Sequence, residues 1–399
     1  MPPLLRISPS ISIRFSNSQQ PISSSLLPAT FLLFQHLKMD SAILPDCRAH
    51  LRPTPGAVPS PERWSRRHSP APIAVAETSS GPRSIAEGGS KRLFVFGTGF
   101  VGRYVSDRLL RQGWHVSCTS TCAPKKRELE KMGLDAFIFD ANKDKLTNLH
   151  TLQCATHLLV SIPPLVGIGD PLLYIHRDLQ AILEDGNLEW LGYLSSTSVY
   201  GDCGGLLVDE DYPPNPKTES AKLRLAAETG WQDLGHELGV SVNVFRLGGI
   251  YGPGRCALDT ILKGNSLSES QIKRASKVFT SRIHVADVYQ ALKASFGISS
   301  SRMYNVVDDD PTPRQEVFAF ARSLIEKRWP GLLNDSGSID TQETEAHKVH
   351  VGGEKRVSNA RLKKELSVNL LYPTYRLGLQ AILESCEAFP GSHERSPRS

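Results

Sequence analysis

From residue 91 onward, apolar and polar positions follow two alternating rhythms. Short apolar runs bounded by glycine or polar clusters predict buried strands, and apolar residues three or four apart predict helices. "RLFVF" (Arg92 to Phe96) is one such run. Val101, Val105, Leu109 and Leu110 then recur at helical spacing, Gly113 stops that helix, and His115 to Thr119 begins a second strand. "DAFIFD" predicts a third strand ending at Asp140, "THLLVSIPP" a fourth, "LGYLSSTSVYGD" a fifth and "GVSVNVFRLGGIYGPG" a sixth. "VSNARLKKEL" and "YPTYRLGLQAILES" predict closing helices. Strands alternating with helices predict a doubly wound parallel α/β sheet, with ligands at the carboxyl ends of its strands.

Residues 1–90 follow neither rhythm. "SPSISIRFSNSQQPISSSLLP" is rich in serine, and the first acid of the chain is Asp40. Prolines then accumulate through "LRPTPGAVPSPERWSRRHSPAP". Such a segment buries too little apolar surface to offset its ordering entropy, so it is expected to be disordered. Serine-rich, acid-poor and arginine-bearing composition predicts a transit peptide, and serine and proline outweigh arginine, which favours a chloroplast over a mitochondrion. A start at Met39 would shorten the leader and leave a cytoplasmic protein as the alternative. The formal charge is +5, but residues 1–90 hold 9 Lys/Arg against 5 Asp/Glu and the remaining 37 and 36 nearly cancel. The folded part therefore carries no basic stripe, and no nucleic-acid partner is expected. No apolar run is long enough for a membrane helix. The seven cysteines are dispersed without a Cys-x-x-Cys pair, which predicts reduced, mostly buried thiols and no metal site.

The first strand–helix turn carries candidate chemistry. Gly97-Thr98-Gly99-Phe100-Val101-Gly102 fits G-x-G-x-x-G between a strand and a helix, the context in which that motif holds a dinucleotide pyrophosphate. Gly97 permits the tight turn, Gly99 the approach of a phosphate, and Gly102 the packing of helix on strand. An acid at the end of the second strand would bind the ribose of NAD. This chain has Ser120 and Thr121, with Lys125 just after, which favours NADP, with NAD as the alternative.

"GTGFVG", "SSTSVYGD", "RLGGIYGPGR", "RIHVADV", "YNVVDDDP" and "KRVSNARLKKEL" occur in that order across about residues 91–386. In this the chain resembles the extended short-chain dehydrogenases/reductases, the nucleotide-sugar epimerase and dehydratase group, and within them an atypical, plant plastid type. The resemblance implies a Rossmann fold over residues 91–388 with a smaller C-terminal substrate-side lobe, mainly 253–280 and 303–388, and a tail at 389–399. It implies that Ser196 polarises the substrate, that Asp140 contacts adenine, and that Ser161 at the end of the fourth strand belongs to the cofactor site. Arg255 and Arg282 offer planar donor forks for a phosphate or carboxylate of an unknown small-molecule substrate. A homodimer is one possible assembly.

Relatives pair that serine with Tyr-x-x-x-Lys on the next helix, where the lysine lowers the phenol's pKa for proton exchange with substrate. Here "NPKTESAKLRLAAE" fills that place. One register puts Ser220 and Arg224 at the two positions, the other Thr218 and Lys222, and neither supplies a phenol. Tyr200, Tyr251 and Ser220 are the candidate substitutes, and Tyr212 lies in the preceding loop. Tyr289 and Lys293 form a Tyr-x-x-x-Lys on a later helix, expected to lie away from the nicotinamide. Two functions follow: an oxidoreductase or epimerase-like enzyme with an altered acid, or a non-catalytic dinucleotide sensor or scaffold. An RNA-binding role ranks below both.

Overall fold

The computed structural model describes residues 91–184, 187–263, 279–333 and 355–386. The leader, the tail and the polar stretch "NDSGSIDTQETEAHK" lie outside them. Seven parallel strands form the central sheet: β1 (Arg92–Phe96), β2 (His115–Ser120), β3 (Asp135–Ile138), β4 (His157–Val160), β5 (Trp190–Ser196), β7 (Val242–Leu247) and β10 (Arg302–Val306). Their order is β10-β7-β5-β4-β1-β2-β3. Chain direction across the sheet reverses between β1 and β4, which pair with Leu93 opposite His157 and Phe96 opposite Val160. That reversal opens a crevice at the strand ends, where such sheets bind ligands.

Both sheet faces are covered, so the strands read as continuous apolar runs. In β1, Leu93 and Val95 face one core with α1 (Phe100–Leu110). α2 (Ala123–Lys131) packs on β3. Two short helices, α3 (Pro171–Tyr174) and α4 (Leu179–Leu183), precede β5 and bury Leu172, Leu179 and Leu183 in a second core. Phe94 and Phe96 of β1 face that second core, together with Trp231 and Leu234 of α5 (Glu219–Leu238). All four of these β1 residues are at most 2% exposed. A third core joins α6 (Ala257–Leu262) to the helices Arg314–Arg328 and Tyr375–Glu384.

Three elements depart from the expected pattern. The run read as one sixth strand breaks at Gly248. β7 ends at Leu247, and β8 (Gly249–Tyr251) leaves the main sheet to pair with β9 (Arg282–His284). A Cβ at Gly248 would sit 3.0 Å from the Ser281 carbonyl oxygen, so the crossing needs glycine. The seventh strand, β10, has no apolar run to announce it, because "RMYNV" carries Arg302 and Asn305, yet Asn305 is fully buried. The helix Ala360–Leu366 packs Leu362 and Leu366 into the first core. β10 and this helix thus serve the main sheet, while the three helices of the third core form the smaller lobe. A two-residue strand, β6 (Leu207–Val208), pairs with β11 (Arg356–Val357).

Candidate functional site

The turn after β1 is held from β2. The Gly97 N–H donates to Thr119 Oγ1 at 2.8 Å, and the Thr98 hydroxyl donates to the Thr119 carbonyl at 2.8 Å. Thr98 is therefore a tether of the turn, buried at 2% exposure. Gly97 has φ +88°, which a side chain rarely adopts, and a Cβ at Gly102 would lie 2.3 Å from the Gly97 oxygen. A Cβ at Gly99 would meet nothing within 4 Å, so the turn faces open space there. Gly99 caps α1 without any side-chain bond, and the first turn of that helix holds no acid. An uncapped helix end with its positive dipole suits a pyrophosphate.

Gly99, Phe100 and Val101 line a cleft of about 1130 Å³. Ser161, Ser195 to Ser198, and Gly248 to Tyr251 continue its wall, and the smaller lobe contributes Val317, Phe318, Tyr375 and Leu379. Its charge is one-sided: Arg224, Arg255, Lys263, Arg282, Arg314 and Lys355 line it, against Asp259 as the single carboxylate among the described lining residues.

Ser120, Thr121, Lys125 and Asp140 stand at and just beyond the carboxyl ends of β2 and β3, outside that lining. Ser120 is 6% exposed, and its buried hydroxyl has no partner. Thr121 is exposed and Lys125 half-buried. Asp140 accepts from the Asn142 N–H and side-chain amide and lies 3.4 Å from Lys143. Burial raises its pKa, but these bonds outweigh that and hold it below the usual range. An orphan hydroxyl, an open glycine and an uncapped helix N-terminus fit a dinucleotide.

Ser196 lines the cleft and caps the short turn Thr197–Tyr200 by accepting from the Ser198 N–H at 3.2 Å. On α5 the structure selects between the two registers. Thr218 is the N-cap, accepting from the Ala221 N–H, and Ser220 and Lys222 are exposed. Arg224 lines the cleft and donates to the Leu194 carbonyl at 2.9 Å. The Ser220/Arg224 register thus places its cation on the cleft, while the Ser220 side chain stands off it.

The tyrosine candidates serve elsewhere. Tyr200 is fully buried, donates to Asn305 Oδ1 at 2.8 Å and stacks under Arg246 at 4.8 Å. Tyr251 borders the cleft, yet its hydroxyl points under the C-terminal helix, where a Cβ on Gly378 would lie 2.2 Å away. Burial first, and then Asp308, push its pKa up, which makes it a poor proton carrier. Tyr212 packs edge-on against Tyr200. Tyr289 accepts from Gln112 at 2.7 Å and lies outside the cleft, as expected.

Arg282, expected on the substrate, is largely committed to its own fold. It is 8% exposed, donates to the Asp310 carbonyl and to Thr280 and Thr312, and stacks on Tyr375. Beneath the cleft floor, Glu228 and Arg246 form a buried ion pair at 2.7 Å with both side chains 2% exposed, and the Ser195 hydroxyl donates to Glu228. Sequence reading missed this pair. The signal was Arg246, a charge inside the apolar run "NVFRLG".

A seven-stranded parallel sheet, a glycine turn at its reversal and a cleft on that turn define a dinucleotide-binding protein of the Rossmann type. Residues 94–306 match the model of the NAD dependent epimerase/dehydratase family, and the chain belongs to that family as an NAD(P)-binding, epimerase-like protein. It is similar to Protein YeeZ of Escherichia coli K12, at 31% identity over 173 residues, 41% of this chain and 61% of YeeZ. The match thus spans less than two thirds of that relative. A functionally unknown conserved protein from Silicibacter pomeroyi is 33% identical with a TM-score of 0.59, over 75% of this chain and 100% of that one. The UDP-glucose 4-epimerase of Thermus thermophilus, solved with NAD, shares the fold at 20% identity and a TM-score of 0.54, over 74% of this chain and 100% of that one.

Proposed function

We propose that this chain binds NADP at the Gly97–Gly102 turn and acts by hydride transfer on an anionic small molecule in the adjoining cleft, without a Tyr-x-x-x-Lys relay. One observation carries this reading: among the described residues, a single cleft joins the open glycine turn to Arg224, Arg255, Lys263, Arg314 and Lys355, with Arg282 at its edge bonded within the fold, against Asp259 as the one carboxylate. Anionic groups are favoured there, because each cation lowers the potential that a phosphate or carboxylate meets. Ser196 is the group that would polarise a substrate oxygen. Arg224 stands where relatives carry the lysine and would hold cofactor or substrate oxygens as a fixed donor, but a guanidinium does not exchange its proton near neutrality. The proton then comes from water or from the substrate itself. The lack of an acid at the end of β2, with the orphan Ser120 hydroxyl there, supports NADP over NAD. The composition of residues 1–90 supports a chloroplast location.

A second reading is a dinucleotide-binding sensor without turnover. The exposed, off-cleft position of Ser220 favours it. The experiment is titration of the full chain with NADPH and NADH, followed by NADPH oxidation against a panel of phosphorylated and carboxylated carbonyl compounds. NADPH binding at least about tenfold tighter than NADH, a difference of about 1.4 kcal/mol, supports the NADP assignment, and equal binding removes it. Oxidation of NADPH by any panel member supports the enzyme, and tight binding with no turnover across the panel supports the sensor.

A further inference from the structure

Arg255 lies beside the glycine turn, on the loop that follows β8, and lines the same cleft. That loop is a tight turn. Gly252 donates to the Arg255 carbonyl at 3.2 Å, Arg255 donates to the Gly252 carbonyl at 3.0 Å, and Gly254 has φ +79°. The loop presses on the phosphate-binding turn itself: a Cβ at Gly252 would lie 3.1 Å from the tip of the Phe100 ring and 2.7 Å from Val285. Phe100 is the first residue of α1, so its ring marks the end of the helix whose N–H groups face the open space at Gly99. The Arg255 guanidinium stacks over that ring at 5.3 Å, and Arg255, Phe100 and Gly99 line the same cleft.

We propose that Arg255 is a positioning residue for the cofactor, closing over its pyrophosphate from the Gly252–Arg255 loop beside the helix N-terminus. This assigns Arg255 to the cofactor rather than to the substrate, and it rests on the dinucleotide reading of the turn. The helix end supplies N–H donors and a partial positive charge from one side. The pyrophosphate, with two negative charges, then needs compensation on its solvent side. A guanidinium is suited to that task because its planar fork takes two phosphate oxygens at once. Stacking on Phe100 fixes the plane in advance, so less side-chain entropy is lost on binding. The turn Gly252–Arg255 sets the distance, and Phe100 sets the orientation. The same ring belongs to both halves of the clamp, so turn and loop are built as one unit.

The test is a titration of the full chain with NADPH, NADH and ADP-ribose, which all carry a pyrophosphate, and with adenosine 2′-monophosphate, which has none. Arg255→Leu keeps much of the apolar stacking and removes the charge. It is expected to weaken the three pyrophosphate ligands by about tenfold or more, to leave adenosine 2′-monophosphate unchanged and to leave the unliganded melting temperature unchanged. The salt dependence of NADPH binding should also flatten, since one charge contact is gone. Arg255→Lys keeps a cation without the fork and should fall between wild type and Arg255→Leu. NADPH affinity of Arg255→Leu within about twofold of wild type overturns the proposal. So does an equal loss for adenosine 2′-monophosphate, which would mark general damage to the site. Failure of the wild-type chain to bind any of the four removes the dinucleotide reading beneath it, and is told apart because it appears before any substitution is made.

Discussion

Two regions that border one cleft, the glycine turn and α5, differ in what holds their residues in place. On the turn wall, the two positions with a backbone demand are filled by glycine: Gly97 at positive φ and Gly102 against the Gly97 oxygen. On the α5 wall the backbone is equally regular, a twenty-residue helix capped by Thr218 and ended by Gly239 in the left-handed region. Its side chains differ, however. Arg224 lines the cleft, while Ser220 one turn before it is exposed and stands off it. The difference teaches that the fold constrains the two walls unequally. Replacing Gly97 or Gly102 strains the strand–helix connection, so folding alone guards those two, while Gly99 faces open space and is free of that demand. Replacing an exposed helix residue leaves the helix intact, so only chemistry guards it. The turn therefore supports binding, and α5 leaves the reaction open to a different proton route.

The sharpest way to break this comparison is at the turn. Gly102→Ala drives a methyl into the Gly97 oxygen and should abolish dinucleotide binding while costing about 1–3 kcal/mol of stability. Calorimetric titration and a thermal melt read the two effects. Retained binding would mean that the turn is not the site.

The next test lies beneath the α5 wall. Glu228→Gln leaves the Arg246 charge buried without its partner and should cost about 3–5 kcal/mol in urea unfolding. A loss below about 1 kcal/mol would show that the pair does not brace the cleft floor.

A smaller effect is read by pH at buried groups beyond the turn and α5. Burial, opposed in part by Arg282, pushes Asp308 up to about 8, so it stays protonated in the fold where the unfolded chain ionises above about 4. Its contribution is present below about pH 4 and is lost as pH rises toward about 8. Burial holds His157 and His284 down to about 4, so they act in the other sense. Their stability is present above about pH 6.5 and is lost as pH falls toward about 4. Asp308→Asn should therefore stabilise the protein relative to wild type at pH 8 and lose that advantage near pH 4, as read by chemical unfolding at both values. An advantage independent of pH would contradict the assignment.

The smallest expected effect concerns the tyrosines. Tyr200→Phe removes one buried hydrogen bond to Asn305, should cost about 1 kcal/mol, and should leave dinucleotide affinity unchanged. A large loss of affinity would move Tyr200 from packing into the site.

The sheet was legible because six of its strands are apolar runs between turn signals, and G-x-G-x-x-G stood in its proper strand–helix context. β10 was not, since Arg302 and Asn305 interrupt its run. Asn305 is buried because its backbone N–H and side chain bond Glu210 and Tyr200, partners distant in sequence. At the site, Gly99, Phe100, Val101 and Ser196 line the cleft. The choice between Arg224 and Lys222 needed the helix's rotation about its axis, which two overlapping registers leave undetermined. The internal bonds of Arg282 were not legible for a similar reason. Its partners, Asp310 and Thr312, are carbonyls on a loop some thirty residues away that no pattern of side chains reports.

The central claim is that the Gly97–Gly102 turn binds a dinucleotide. The most direct measurement is nicotinamide fluorescence on titrating the full chain with NADPH, for wild type and Gly99→Asp. Position 99 faces open space, so the aspartate should fold without strain and set its charge against the pyrophosphate. The account predicts saturable binding by wild type, loss of that binding in Gly99→Asp, and equal melting temperatures for the two unliganded proteins. Equal NADPH affinity in both proteins would contradict it.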